Sequence, residues 1–360
     1  MLKLTLSLLL FCATSPCFSQ GERIAFLADI HLHDIFGKFE DQAFQGVPHP
    51  IDQKPVLVRS MASQLRSTRI FNENYFALIA ALNDIAQKGI KIVALPGDYT
   101  DDGQAYNLRG LKKLLKSYTD KYGIRFFITT GNHDPLGPFR QEGGKADFLD
   151  HTGKTYGIFS SGTKGIITAD IAPSGYQEIL LELDEFGFMP HEKDYFWASP
   201  FSTYSPNTYS YSEANHQAAF SYRQYEISPG FWVPDFSYVV EPIPGVWLLA
   251  IDGNTYIPRQ VDGNPKDSKT YKTAGIGYNE VLTHKTHLVT WIKEIADLAL
   301  KGNKKLIAFS HYPAVDYNDH AGIEISELLG PTKWQLHRAP SEEVAEALAA
   351  AGIKIHFGGH

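Results

Sequence analysis

At 360 residues, 43% hydrophobic and 13% aromatic, the chain can bury a sizeable core as one large domain or two small ones. Thirty-three basic against 40 acidic residues leave a net charge of -7, which argues against non-specific nucleic-acid binding without excluding a local basic pocket. Both cysteines, Cys12 and Cys17, fall within the first 19 residues, so the remainder has no disulfide and no thiol nucleophile.

Those residues read as a targeting segment. Lys3 supplies positive charge, residues 4–13 are an apolar run short for a membrane span, and Cys17 and Ser19 stand at a -3/-1 spacing before Gln20. The expectation is a cleaved signal peptide over 1–19, an exported protein (periplasmic, cell-surface or secreted), and no membrane span after cleavage. An uncleaved anchor is the other reading. Cleavage would remove only Lys3 among the charged residues and leave a charge of about -8.

In chain order, residues 23–28 are a β-type apolar run that passes directly into Asp29-Ile30-His31. Residues two apart in an extended segment leave the same face, so Asp29 and His31 offer a carboxylate and an imidazole together, a half-site for a divalent metal. A surface Asp and a turn His are the plainer alternative. His33 and Asp34 are expected one layer out from the site, or solvated. Residues 36–70, with Pro48, Pro50 and Pro55, show no period and read as a long, partly ordered loop. A helix follows, capped by Asn72 or Asn74, with Phe76, Ile79, Leu82, Ile85 and Ala86 inward and Gly89 ending it. Residues 90–95 form the second strand and end at Gly97-Asp98. A helix over roughly 104–122 turns Leu108, Leu111, Leu114, Leu115 and Tyr118 inward. The third strand, 124–130, delivers Gly131-Asn132-His133-Asp134.

That tetrapeptide sets an amide carbonyl, an imidazole and a carboxylate side by side at a strand end, although Gly-Asn is also a common turn dipeptide. The alternation of strands and helices argues a parallel α/β core, and such sheets place ligands at the carboxyl ends of their strands. Residues 135–245 break the rhythm. They are rich in Gly, Pro, Ser and aromatics and read as an insertion covering or bordering the site, with the aromatics forming a small core of their own more readily than substrate contacts. A strand over 245–251 then ends at Asp252-Gly253-Asn254. A helix over 284–300 turns Leu288, Trp291, Ile292, Ile295 and Leu298 inward. A strand at 305–309 leads into Ser310-His311, a helix covers 341–351, and a strand at 353–357 leads to Gly358-Gly359-His360.

Asp29, His31, Asp98, Asn132, His133, His311 and His360 thus all follow predicted strands. In the patterns Asp29-Ile30-His31, Gly97-Asp98-Tyr99-Thr100-Asp101, Gly131-Asn132-His133-Asp134, Ser310-His311 and Gly359-His360, the chain resembles the calcineurin-like metallophosphoesterases. That family carries D-x-H, G-D-x-x-D, G-N-H-[DE], a lone His after a strand, and G-H-x-H in this order. The resemblance spans nearly all of residues 20–360.

It implies an α/β fold (α+β by some schemes), a two-layered β-sandwich flanked by helices with a dinuclear metal site at the strand ends. Metal 1 would be held by Asp29, His31 and Asp98, and metal 2 by Asp98, Asn132, His311 and His360, with Asp98 bridging. The cofactors would be two divalent or trivalent transition-metal ions, and the mixed oxygen and imidazole ligands suit Zn, Mn or Fe better than Mg or Ca. His133 would be the acid that is not a ligand, oriented by Asp134, unless Asp134 only stabilises the turn. Asp101 is expected one layer out from the metals or in a structural role. Two departures stand out. The family's last motif has a second His two positions on, and this chain stops at His360, which leaves metal 1 with three protein ligands. Related purple acid phosphatases have a metal-binding Tyr where this chain has Asp101.

The function these features imply is exported, metal-dependent hydrolysis of a phosphomonoester or phosphodiester through a metal-activated hydroxide, on a small-molecule or lipid substrate, with no nucleic-acid binding. A narrower nucleotidase or sphingomyelinase-like phosphodiesterase, using aromatics in 186–236, is the first alternative. A non-catalytic binding protein on the same fold is the second.

Overall fold

The computed structural model describes residues 21–330 and 333–360, so the segment read as a signal peptide lies outside the described residues. Strands β1 (Ile24–Phe26), β2 (Ile92–Pro96) and β3 (Arg125–Thr129) form a parallel sheet in that order. Every position of β2 is buried, as expected for a parallel strand covered on both faces. The crossovers are helices α1 (Asn74–Gln87) and α2 (Ala105–Tyr122), which pack on the sheet through Leu78, Leu82, Ile85, Leu108, Leu111 and Leu115. Gly123, with φ at 67°, closes α2 in the left-handed conformation that glycine adopts without penalty.

The α1 stripe runs through Asn74, Leu78, Leu82 and Ile85, and Phe76 is 53% exposed. Leu82 and Ile85 are buried as expected and Ile79 and Ala86 half-buried, but Phe76 faces out, because residues 75–79 are apolar on several faces and define no single stripe. Neither Asn72 nor Asn74 caps the helix. Asn72 bonds both backbone groups of Arg59, and Asn74 donates to the His31 carbonyl at 2.9 Å.

The second sheet has five strands, β4 (Phe196–Ala198), β5 (Tyr238–Ile243), β6 (Val246–Ile251), β7 (Lys305–Ser310) and β8 (His356–Gly358), in the order β8-β7-β6-β5-β4. The run β6-β7-β8 is parallel, and β5 and β4 add on antiparallel. The two-residue period of β6 divides its side chains. Leu248 and Ala250 join the core shared with the first sheet. Trp247, Leu249 and Ile251 face a second core under α3 (Thr286–Lys301) and α4 (Glu342–Ala350). The two sheets touch through β2 with β7 and β3 with β6. The result is a mixed α/β protein in which both sheets turn their carboxyl-terminal edges the same way.

Two stretches are more ordered than the sequence suggests. Residues 36–70 contain a short hairpin, Val47–Pro48 with Pro55–Val56, and a one-turn helix, Met61–Gln64. Within 135–245, a small sheet of Gly144–Leu149, Thr155–Phe159 and Ile166–Ile167 stands apart, but β4 and β5 belong to the main sheet. Trp197, Phe231, Phe236 and Tyr238 accordingly sit in the main core and not in a core of their own. No helix among the described residues is long and apolar enough to cross a membrane.

Candidate metal centre

Strand register aligns the site. Phe26 pairs with Ala94, Pro96 with Thr129, and Ser310 with Gly358, so each sheet delivers its loops at one level. The Thr129 hydroxyl donates to the Ile251 carbonyl at 3.1 Å and the Thr130 hydroxyl to Asp252 at 2.7 Å, which joins the two edges beneath the loops.

Local backbone then aims the side chains. Asp29, His31, Asp98, Asp102 and His360 all have φ between 45° and 76°, a left-handed conformation rare for residues other than glycine. Such strain collects where a site over-determines the backbone. Asp29 and His31 therefore converge through two left-handed residues and not through strand alternation. The His31 amide donates to the Asp98 carbonyl at 2.8 Å, which ties the two loops together. Gly131 is required by proximity, since a Cβ there would lie 2.2 Å from Asp98 Oδ1 and 2.4 Å from the Asp98 amide nitrogen.

Around His311 Nε2 lie Asn132 Oδ1 at 2.8 Å, His360 Nδ1 at 3.0 Å and Asp98 Oδ2 at 3.2 Å. Asp29, His31 and Asp98 form a second group, each offering a ligand atom within 4.8 Å of the others. His31 Nε2 lies 3.7 Å from the same Asp98 Oδ2 and 4.0 Å from Asp29 Oδ1, both beyond hydrogen-bond reach. Its Nδ1 is buried with no partner. Carboxylates and imidazoles facing one another across gaps too long for hydrogen bonds suit a cation between them.

The protonation states agree for His31, His360 and Asp98 and run the other way for Asp29 and His311. Burial holds His31 down to about 4 and His360 to about 3, the latter helped by the His311 charge. Burial favours protonation of Asp98, but His311, His133 and His31 outweigh it and keep the carboxyl below its ordinary range. Burial raises Asp29. Neutral His31 and His360 and an ionised Asp98 are forms that bind metal, whereas His311, lowered by burial but raised more by Asp98, has to give up a proton to do so.

A family model for calcineurin-like phosphoesterases matches residues 22–228. The chain belongs to the calcineurin-like phosphoesterase family. That family is hydrolytic and metal-dependent. No curated protein matches the sequence. The match takes in Asp29, His31, Asp98, Asn132 and His133 and ends before His311 and His360, which β7 and β8 bring to the centre of the phosphoesterase.

His133 packs edge-on against His31, ring centroids 5.1 Å apart, and its amide donates to Asp98 Oδ1 at 2.8 Å. The pairing with Asp134 does not hold. Asp134 is fully buried, its carboxylate taken by the Thr100 amide at 2.7 Å and the Thr100 hydroxyl, and burial raises its pKa well above the usual value. The carboxylate on His133 Nδ1 is Asp102. Asp134 points inward because the tight loop sends consecutive side chains in different directions. His133 takes the outward one.

Sequence reasoning also missed what surrounds this pair. Asp101 is fully buried, bonded by Arg59 at 2.9 Å and by Arg69, with Lys145 at 3.3 Å. Arg69 and Lys145 also engage Asp102. His33 is buried, not solvated, and sits between Tyr106 OH and the Leu57 carbonyl. Asp34 bonds within its own loop and along α2. Behind the Gly131 loop, Asn254 donates to the Gly131 carbonyl at 3.0 Å, and Asp252 accepts from Thr130 and Tyr176. The fully buried Lys285 donates to the carbonyls of Asp252 and Asn254. Asp102 followed by Gly103 reads as an ordinary turn, and the Asp252-Gly253-Asn254 strand end was the only sequence signal for the network.

Proposed function

We propose that the protein is a metal-dependent phosphoesterase with two metal ions at the edge of a two-layered β-sandwich formed by its two sheets. Asp29, His31 and Asp98 would hold one ion, and Asp98, Asn132, His311 and His360 the other. The observation that carries this reading is Asp98 Oδ2, which lies between His31 Nε2 at 3.7 Å and His311 Nε2 at 3.2 Å, with both imidazoles turned toward it. Transition-metal ions of the Zn, Mn or Fe type, bound there, would polarise a phosphoryl oxygen and acidify water.

The chain's own residues supply the rest. His133 stands outside both ligand groups but against His31, where it can give a proton to the departing oxygen. Asp102 on Nδ1 fixes its ring, while Arg69 and Lys145 hold Asp102. Asp134 supports the turn through Thr100. Of the aromatics in 186–236, Trp197, Phe231 and Phe236 are buried and unavailable for stacking on a base, while Tyr195, Tyr211, Tyr222 and Trp232 are exposed and keep the nucleotidase alternative open. Export remains part of the proposal and rests on residues 1–19 alone.

The test is to load the protein with Mn or Zn and assay an aryl phosphate, an aryl phosphodiester and a nucleotide side by side. Hydrolysis of at least one, lost on Asp98→Asn, is expected. A metal-replete protein inert on all three would favour the binding-protein alternative.

A further inference from the structure

Beside His133 opens a cavity of about 520 Å³ whose walls include Arg66, Arg69, Lys145, Ser60, Ser63 and Ser67. Arg69 Nη1 lies 3.5 Å from His133 Nδ1, so the cavity begins one side chain beyond the residue assigned to the leaving oxygen. Its polar walls are guanidinium, ammonium and hydroxyl groups, donors suited to an oxyanion, with one carboxylate, Asp147, among them.

Asp147 also lines the cavity, and Asp101, Asp102 and Asp147 balance Arg59, Arg69 and Lys145, so the net positive charge there is that of Arg66. Asp101 has no exposure, and its two oxygens are taken by Arg59 and Arg69. Asp147 accepts from Arg59 Nε at 2.7 Å, and Asp102 is turned to His133 and Lys145. Arg66 is exposed and forms no ion pair among the described residues. The buried acids hold Arg59, Arg69 and Lys145 in place, and Arg66 adds a free charge at the mouth.

We propose that this cavity is the leaving-group subsite of the phosphoesterase and selects esters whose leaving group carries a second oxyanion, a phosphate or a carboxylate. The proposal rests on the phosphoesterase reading above and adds a substrate class to it. A phosphoester seated at the metal centre with its bridging oxygen at His133 would project its leaving group toward Arg69 and Arg66.

Arg66 touches none of the catalytic groups and is the position to change. With metals removed, calorimetric titration with inorganic pyrophosphate should show binding to the wild type. Binding should weaken about 10–100-fold in Arg66→Glu, the range for losing one charge-assisted hydrogen bond, and should be partly kept in Arg66→Lys. With metal bound, phenyl phosphate, carboxyphenyl phosphate and a benzene bisphosphate are compared by kcat/KM. The charged esters should lead by about tenfold in the wild type, an advantage lost in Arg66→Glu while phenyl phosphate is unchanged. Whichever charged ester leads identifies carboxylate or phosphate as the preferred group. Absent pyrophosphate binding in the wild type, equal binding in Arg66→Glu, or an unchanged ester ratio would overturn the proposal. If no ester is hydrolysed at all, the phosphoesterase reading fails, and the metal-free titration still judges the cavity.

Discussion

If Asp102 works through His133, changing both residues should do no more harm than changing His133 alone. His133→Ala removes a general acid, worth about 10²–10⁴ in rate, and the loss should be greatest for poor leaving groups. Asp102→Asn keeps the shape and an acceptor oxygen on Nδ1 but removes the charge. A hydrogen bond to a charged group contributes about 1.5–3 kcal/mol and a neutral one about 0.5–1.5, so the difference is about 1–1.5 kcal/mol, or about tenfold in rate. Arg69 and Lys145 keep Asp101 as a partner in that variant, so the loop should hold. The double variant should match His133→Ala, with a coupling energy near the whole Asp102 effect. The assay is kcat/KM over aryl phosphates of graded leaving-group acidity, with metal content measured for each variant. Losses that multiply in the double variant, or metal lost with either single change, would refute the reasoning.

Asn254→Ala should leave the buried Gly131 carbonyl unpaired, at a cost of about 1–3 kcal/mol in stability, and weaken metal binding about 10–100-fold although Asn254 is not a proposed ligand. A lowered Tm with unchanged metal affinity would reduce it to packing. Burial holds His33 down to about 4 from its ordinary 6.5, so the unfolded chain takes up its proton first as pH falls. Its contribution is intact above 6.5 and is lost on descent toward 4, on the order of 3 kcal/mol in all, and His33→Gln should flatten that part of the urea-midpoint curve. Equal slopes in the two proteins would contradict it. Iron-loaded protein should lack an intense visible tyrosinate band, because Asp101 is held by Arg59 and Arg69 and burial pushes the Tyr99 phenol well up. A purple preparation would show a tyrosine on the metal.

The sequence carried the strand ends well, because each apolar run stops at a residue with chemistry and parallel strands bring such stops to one edge. Asp29, His31, Asp98, Asn132, His311 and His360 are together for that reason. Their aim was not legible. It depends on left-handed backbone at Asp29, His31 and Asp98, which Asp and His adopt only under tertiary constraint. The choice of Asp102 over Asp134 depends on which way a tight loop turns, and Arg59, Arg69 and Lys145 arrive from loops and a strand distant in sequence. Likewise, β4 looked like part of an insertion because it is short and its partner β5 stands well along the chain, and β5 because it joins β6 through an irregular hairpin.

The most direct test of the two-metal account is a crystal grown with Mn and measured for anomalous scattering. The account predicts two ions about 3.5–4 Å apart, both bound to Asp98. One should be completed by Asp29 and His31, and the other by Asn132, His311 and His360, with His133 bound to neither. A single ion, a pair not bridged by Asp98, or an ion ligated by His133 would contradict it.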